Sequence, residues 1–295
     1  MIKNNRDSKV NLVCSKQLIL KKMLEAIKVF ESIKYKNGGV EMDIKEKFML
    51  NGKKAYITGG ARGIGKSVSI ALAQAGADIA IVDRDIIEAE KTAGELAVYG
   101  VKTIAVQADV TNPDDVNKMM DTILKAFGTI DIAYNNAGIC INEKAEDMSY
   151  ESWKKVIDIN LTGIFLTAQA AGRIMIKNGK GSIINTASMS GHIVNSPQPQ
   201  CAYNASKAGV IMLTKSLAVE WAPYNVRVNS ISPGYIATEM TLKATDWIPG
   251  WVESTPTRRM GNPEELQGAV IYLASDAATF TTGTDIVIDG AFTCV

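Results

Sequence analysis

The strongest constraint on this chain is a rhythm that begins at residue 53, in which short apolar runs alternate with helix-length amphipathic stretches. Lys53–Thr58 (KKAYIT) reads as a strand, a Gly-rich turn follows, and a helix runs through Ala75 to a stop at Gly76. Asp78–Asp83, Thr103–Ala108, Asp131–Tyr134, Ser182–Thr186, Val226–Ile231 and Asp285–Ile288 read as further strands with helices between them. Asn112-Pro113 opens one helix as a cap followed by Pro in the first turn, and Asn262-Pro263-Glu264-Glu265 opens another. Seven strands alternating with helices predict one α/β domain, doubly wound, its parallel sheet covered on both faces.

Residues 1–41 stand apart by charge. They hold nine Lys or Arg against four Asp or Glu, a balance of +5, whereas residues 42–295 hold 23 against 27, a balance of −4. The segment reads as a basic helix with Leu20, Leu24, Ile27 and Phe30 on one stripe and Gly38-Gly39 as its stop. It lacks the uncharged apolar core of a secretory signal and the arginines of a mitochondrial presequence. Met42 could itself open the protein, so the preferred reading of 1–41 is an upstream-start artefact. A helix docked on the domain comes second and a membrane-surface helix third. The predicted division is therefore an extension, 1–41, and a domain, 42–295.

Composition removes several function classes. A net charge of +1 supplies no field for nucleic acid or an anionic membrane. No uninterrupted apolar run reaches the ~18 residues of a membrane helix. Cys14, Cys140, Cys201 and Cys294 form no close pairs, which argues against a disulfide framework or a thiolate zinc site. His192, the single histidine, excludes a multi-histidine metal site, and no metal is expected. These features predict a soluble, cytoplasmic protein.

The first turn carries chemistry. Between strand and helix lies Thr58-Gly59-Gly60-Ala61-Arg62-Gly63-Ile64-Gly65, where glycines let backbone approach a pyrophosphate and a helix N-terminus supplies N–H groups. Asp83 ends the next strand, where a carboxylate accepts both ribose hydroxyls of an adenosine and repels a 2′-phosphate. NAD is thus preferred over NADP, although Arg62 and Arg84 offer guanidinium groups that can embrace that phosphate.

The spacing Gly59, Gly63, Gly65 resembles the short-chain dehydrogenase/reductase family, and the resemblance extends over residues 50–290. Asn135-Asn136-Ala137-Gly138 matches the family's NNAG after the fourth strand, and Asp109-Val110 its adenine contact. Pro233-Gly234 matches the pair beside the nicotinamide, and Thr238 its carboxamide- or pyrophosphate-binding Thr. Ile64 and Ile236 join these as cofactor contacts. The resemblance implies a Rossmann-type fold, a nicotinamide cofactor, a homotetramer and a catalytic set of Asn160, Ser188, Tyr203 and Lys207.

Tyr203 and Lys207 lie four apart on one predicted helix, so they share a face. A phenol is a weak base at neutral pH, and a neighbouring ammonium is expected to lower its pKa. Tyr203 would then exchange the proton with the substrate oxygen while Ser188 hydrogen-bonds it. Lys207 would also hold the nicotinamide ribose, and Asn160 a water linking Lys207 to solvent. Separately each residue has a structural reading: a chance Y-x-x-x-K, a strand-end Ser, a buried amide. Downstream of the glycine turn, together, they read as catalytic. His192 reads as a solvated loop residue.

Between Ser188 and Tyr203 the chain is rich in amides, and Asn195, Gln198 and Gln200 are candidate hydroxyl binders for a polyol, although amides also brace Pro-containing loops. Residues 192–208, with Ala218–Pro223 and Pro233–Ile236, look like the polyol dehydrogenase branch of the family, implying a sugar alcohol/ketose substrate. A 3-oxoacyl or other keto-group reductase is the rival within enzymes, and a non-catalytic dinucleotide-sensing protein the rival outside them. Tyr235–Met260, with Trp247 and Trp251, reads as a lid or as one helix's core face. Ala291 follows Asp289-Gly290 where the family has a second Gly, a departure in a region that commonly meets another subunit.

Overall fold

In the computed structural model the described residues are Glu25 and 43–295, so the readings placed on the leading segment as a whole lie outside them. Seven strands form: β1 Lys54–Thr58, β2 Asp78–Asp83, β3 Thr103–Gln107, β4 Ile132–Asn135, β5 Gly181–Thr186, β6 Val226–Pro233 and β7 Asp285–Ile288. They make one sheet in the order β3-β2-β1-β4-β5-β6-β7, parallel throughout. The predicted α/β, doubly wound Rossmann-type architecture is the observed one.

Successive strand residues point to opposite faces, and each face has its own core. Ile57, Ile79, Ile81, Ile132 and Ile184 pack with helices Gly63–Gln74, Ile86–Leu96 and Gln267–Ala274. Tyr56, Ala80, Val82, Ala133 and Ile183 pack with helices Pro113–Phe127, Gly163–Asn178 and Cys201–Trp221. A fully buried Ile contributes about 1.5–3 kcal/mol relative to exposure, which is why the strands are apolar along their length. Asn112 caps its helix as expected, its side chain accepting from the N–H groups of Asp114 and Asp115.

Among the described residues one helix, the 29-residue Tyr150–Asn178, is long and apolar enough to cross a membrane. Here its apolar residues Ile164, Ala168, Ala171 and Met175 are buried within the protein. The helix contains a π-helical turn at Asp158–Thr162, a feature that a 3.6-residue periodicity does not reveal.

The strand order reverses between β1, next to β2, and β4, next to β5. Doubly wound sheets bind ligands at such a switch, beyond the C-terminal strand ends. The Gly-rich turn leaves β1 there, and Asn136-Ala137-Gly138 leaves β4 beside it.

Candidate active site

The glycine turn is shaped by contacts that leave no room for side chains. Gly59 and Gly63 have φ of +61° and +54°, which glycine adopts without strain. A Cβ on Gly59 would come 3.0 Å from Ala137 Cα, so the turn and the end of β4 touch backbone to backbone. Asn136 fastens them: its Nδ2 donates to the carbonyls of Thr58 (3.3 Å) and Gly59 (3.2 Å), and its N–H to Thr58 Oγ1 (3.0 Å). Gly65 lies behind, with Gly59 and Asn136 against its Cα.

A cleft of about 520 Å³ opens from this turn. It is lined by Gly59, Arg62, Gly63, Ile64, Asn136, Ala137, Gly138, Ser188, Tyr203, Lys207, Pro233, Gly234, Ile236 and Thr238. A chamber of about 180 Å³ shares Gly59, Ala137 and Gly138 with it and adds Asp83, Asp109 and Val110. The predicted cofactor residues thus line one continuous groove, except Gly65, which supports its floor. Asp83 accepts from the N–H of Ala61 (3.3 Å) and of Asp85 (3.2 Å). For Asp109, burial pushes the carboxyl up, but hydrogen bonds from the Thr111 hydroxyl and N–H, with Arg84 nearby, outweigh it and hold it low.

Ser188, Tyr203 and Lys207 meet at the far end. Ser188 lies two residues past β5, its Oγ accepting from the Ser190 N–H (3.1 Å). Tyr203 and Lys207 share a face of helix Cys201–Trp221, with the Lys207 ammonium 5.6 Å from the Tyr203 ring centre. That helix is tied through the sheet by buried hydrogen bonds from Tyr56 to Asn135, Asn135 to Asn185 and Asn185 to Thr214. Asn160, in the π-turn, is fully buried. It accepts from Ile139 N–H (2.8 Å) and donates to Ile139 C=O (2.9 Å) and Ser206 Oγ (3.1 Å), so it supports the Gly138-Ile139 segment of the cleft from behind.

The electrostatics differ from the sequence expectation. Tyr203 keeps some surface in the cleft, yet protein encloses it on most sides. Burial pushes its phenol up to about 12, and a hydrogen bond with Ser188 offsets only part of this. Burial also brings Lys207 down to about 8. Among the described residues no carboxylate pairs with this ammonium, which donates to the Thr186 carbonyl (2.7 Å). In the protein by itself desolvation therefore dominates over the expected lowering of Tyr203 by Lys207.

These residues fit a dinucleotide. The groove has backbone exposed by glycines at its middle, carboxylates at one end, and at the other a buried ammonium with donors to spare.

The three amides lie elsewhere than expected. Asn195, Gln198 and Gln200 are buried, outside the lining of either chamber, and bonded to protein groups. Asn195 and Gln198 donate to the Tyr235 hydroxyl (3.1 and 2.7 Å), and Gln200 Nε2 to Asn204 (2.8 Å), Asn195 (3.1 Å) and Ser190 (3.2 Å). His192 is not a freely solvated residue: its Nε2 lies 2.7 Å from Asp285, whose side chain is 6% exposed. Trp251 is buried and donates to Gln198 (3.1 Å), while Glu239, Met240, Thr241 and Lys243 from the same Tyr235–Met260 segment line the cleft. The motif reading missed these four, for which the length of the segment was the only signal, and also Cys140, whose thiol lies 3.8 Å from Gln200 Oε1.

Comparison with known proteins agrees with this geometry. A family model described as enoyl-(acyl carrier protein) reductase matches residues 59–293. A sorbose reductase of Candida albicans is 47% identical over 85% of this chain and 91% of its own length. A probable NADP-dependent mannitol dehydrogenase of Yarrowia lipolytica is 48% identical over 86% and 92%. The crystal structure of a short-chain type dehydrogenase/reductase from Mycobacterium marinum superposes with a TM-score of 0.84 at 49% identity, covering 85% of this chain and 99% of that one. On these matches the chain belongs to the short-chain dehydrogenase/reductase family of nicotinamide-dependent oxidoreductases.

Proposed function

We propose that this enzyme interconverts a sugar alcohol and its ketose with NAD, Tyr203 exchanging the proton. The observation that carries the reading is the meeting of Ser188, Tyr203 and Lys207 at one end of a groove whose other end presents Asp83 and Asp109. The substrate class is supported by relatives named sorbose reductase, mannitol dehydrogenase and, from Scheffersomyces stipitis at 39% identity, D-arabinitol 2-dehydrogenase.

Ser188, Tyr203, Lys207, Gly234 and Ile236 line the end of the cleft that would hold a nicotinamide, which would supply the hydride transfer and, when oxidised, a positive charge. Tyr203, protonated across the neutral range, gives its proton to a ketone oxygen and recovers it from an alcohol. Ser188 Oγ accepts from the Ser190 N–H and its O–H is turned to the Tyr203 phenol, so a substrate oxygen entering between them would take over that donor. Lys207 keeps donors for ribose hydroxyls beyond its bond to Thr186. Asn160 holds the Ile139 backbone on both its N–H and its C=O, positioning the wall that faces Lys207.

Three acids support NAD over NADP. Arg62 is paired with Asp85 (2.8 Å) and Glu88 (3.9 Å), and Arg84 approaches Asp109 (3.9 Å), so a 2′-phosphate would compete for both guanidinium groups. The NADP dependence named for mannitol dehydrogenase relatives favours the second reading. Exposed Trp153, Phe165, Met212 and Val219 on helices Tyr150–Asn178 and Cys201–Trp221 support a homotetramer, which sedimentation velocity tests.

The deciding experiment is a panel of polyols and ketoses assayed with each nicotinamide, with a 3-oxoacyl thioester alongside. Turnover of polyols with NAD, lost in Tyr203→Phe with cofactor binding retained, supports the proposal; turnover of the thioester alone overturns it.

A further inference from the structure

Asn135 of β4 is in register with Asn185 of β5, so Asn136, just past β4, has Thr186, the last residue of β5, as its neighbour. Thr186 is 6% exposed and lines the cleft. Its main chain is fixed by the sheet: Thr186 is in register with Ile231 of β6, and the following N–H, of Ala187, donates to the Ile231 carbonyl at 2.8 Å. The Thr186 carbonyl accepts the Lys207 ammonium at 2.7 Å. Thr186 and Lys207 thus belong to one rigid side of the cleft.

The Thr186 hydroxyl faces the other side. It donates to Asn136 Oδ1 at 3.3 Å, and among the described residues no other donor reaches that oxygen. The opposite end of the same amide, Nδ2, donates to the Thr58 and Gly59 carbonyls, where the glycine turn begins. One donor and two acceptors leave the amide a single orientation, since turned over it would set its oxygen against two carbonyl oxygens. Without the hydroxyl, Asn136 Oδ1 would lose its partner in a half-buried place. The path Lys207–Thr186–Asn136–Gly59 therefore runs from the ammonium to the phosphate turn, and the Thr186 hydroxyl is the side-chain bond that crosses it.

We propose that Thr186 is a positioning residue whose hydroxyl sets the distance between the glycine turn and Lys207, so that pyrophosphate and nicotinamide ribose are gripped at one fixed spacing. A ligand bound at two points gains from the second only as far as the two points are held at its own length. A nicotinamide dinucleotide spans both, so its affinity reports that spacing. ADP reaches the turn but lacks the riboside that would meet Lys207. The inference concerns cofactor binding for any carbonyl substrate and stands apart from the polyol reading.

Thr186→Val and Thr186→Ser test it in the full-length enzyme: Val keeps the branched shape without the hydroxyl, and Ser keeps the hydroxyl. Affinity for the tighter-binding of NADH and NADPH is measured by fluorescence titration, and that for ADP by competition, well below each variant's melting temperature. In Thr186→Val the reduced cofactor should lose about 10-fold more affinity than ADP, the ~1.4 kcal/mol of one hydrogen bond. Thr186→Ser should restore most of that difference. Equal losses for the two ligands mean that the hydroxyl only keeps the turn folded, and no loss for either means that it holds nothing. A Ser variant as weak as the Val variant means that the hydroxyl is not the acting group. Each of these results overturns the inference and leaves the polyol reading, which the substrate panel decides, untouched.

Discussion

Replacing Gly65 by Ala isolates what the glycine turn does. Gly65 is the third residue of helix Gly63–Gln74 and does not have a positive φ, so backbone freedom gives no reason for a glycine there. Helix propensity by itself would favour Ala by about 0.8–1 kcal/mol. The surroundings oppose it. An added Cβ would sit 2.8 Å from Asn136 Nδ2 and 2.9 Å from the Gly59 carbonyl carbon, and closer still to its oxygen, against ordinary contact at 3.4 Å or more. Two of these atoms are backbone, so no rotamer change relieves the overlap; the helix start must move away from the turn. Overpacking of this kind costs about 1–3 kcal/mol, more than the propensity gain. At roughly 2–4 °C per kcal/mol for a unit of this size, the melting temperature should fall by several degrees. The displaced N–H groups should also lose nicotinamide affinity, by about 10-fold for each hydrogen bond weakened by ~1.4 kcal/mol. Calorimetry and fluorescence titration with cofactor measure the two effects. Gly94→Ala is the contrast: a Cβ there meets nothing within 4 Å in helix Ile86–Leu96, so this variant should gain about 0.5–1 kcal/mol. A Gly65→Ala protein as stable as Gly94→Ala, with unchanged affinity, would refute the close-approach argument.

Asp83→Ala should cut the preference for NAD over NADP by 10-fold or more, because about 1.5–3 kcal/mol attends each charge-assisted bond to a ribose hydroxyl; an unchanged kcat/KM ratio would place the ribose elsewhere. Lys207, brought down to about 8 by burial, releases its proton before an unfolded lysine does, so the unfolded chain binds more protons above pH 8 and stability should rise from there toward pH 10. Above pH 10 the trend should reverse, as Tyr203 keeps a proton to about 12 that an unfolded tyrosine has lost. Urea midpoints without cofactor measure this rise, and Lys207→Met should flatten it; a rise that persists assigns it to other groups. His192→Ala should cost about 1–3 kcal/mol, because Asp285 is left with the Ser230 hydroxyl (2.5 Å) in a nearly closed site. A melting temperature within a degree of wild type would restore the solvated reading.

Much of the architecture was legible because it rests on local chemistry. Each strand lies within two residues of its expected bounds, since a buried parallel strand must be apolar throughout and a turn or cap must follow it. The groove residues were legible for a related reason: glycines at a βα turn, a carboxylate ending β2 and a tyrosine four residues before a lysine are constraints on one short segment each. The π-turn at Asp158–Thr162 was not, because it inserts one residue into a periodicity that otherwise continues through Asn178.

What the chain determined by itself, then, was the fold, the groove and the residues at its two ends. Tertiary structure decided which polar groups are free to act. The sequence offered Asn195, Gln198 and Gln200 as equals, but packing against Trp251, Tyr235 and Asn204 consumed most of their hydrogen-bonding capacity. It likewise gave His192 a partner 93 residues away and set the directions in which Tyr203 and Lys207 titrate. The physical reason is the same in each case: periodicity and spacing report which face a residue occupies. Desolvation and hydrogen-bond saturation depend on what distant segments bring to that face.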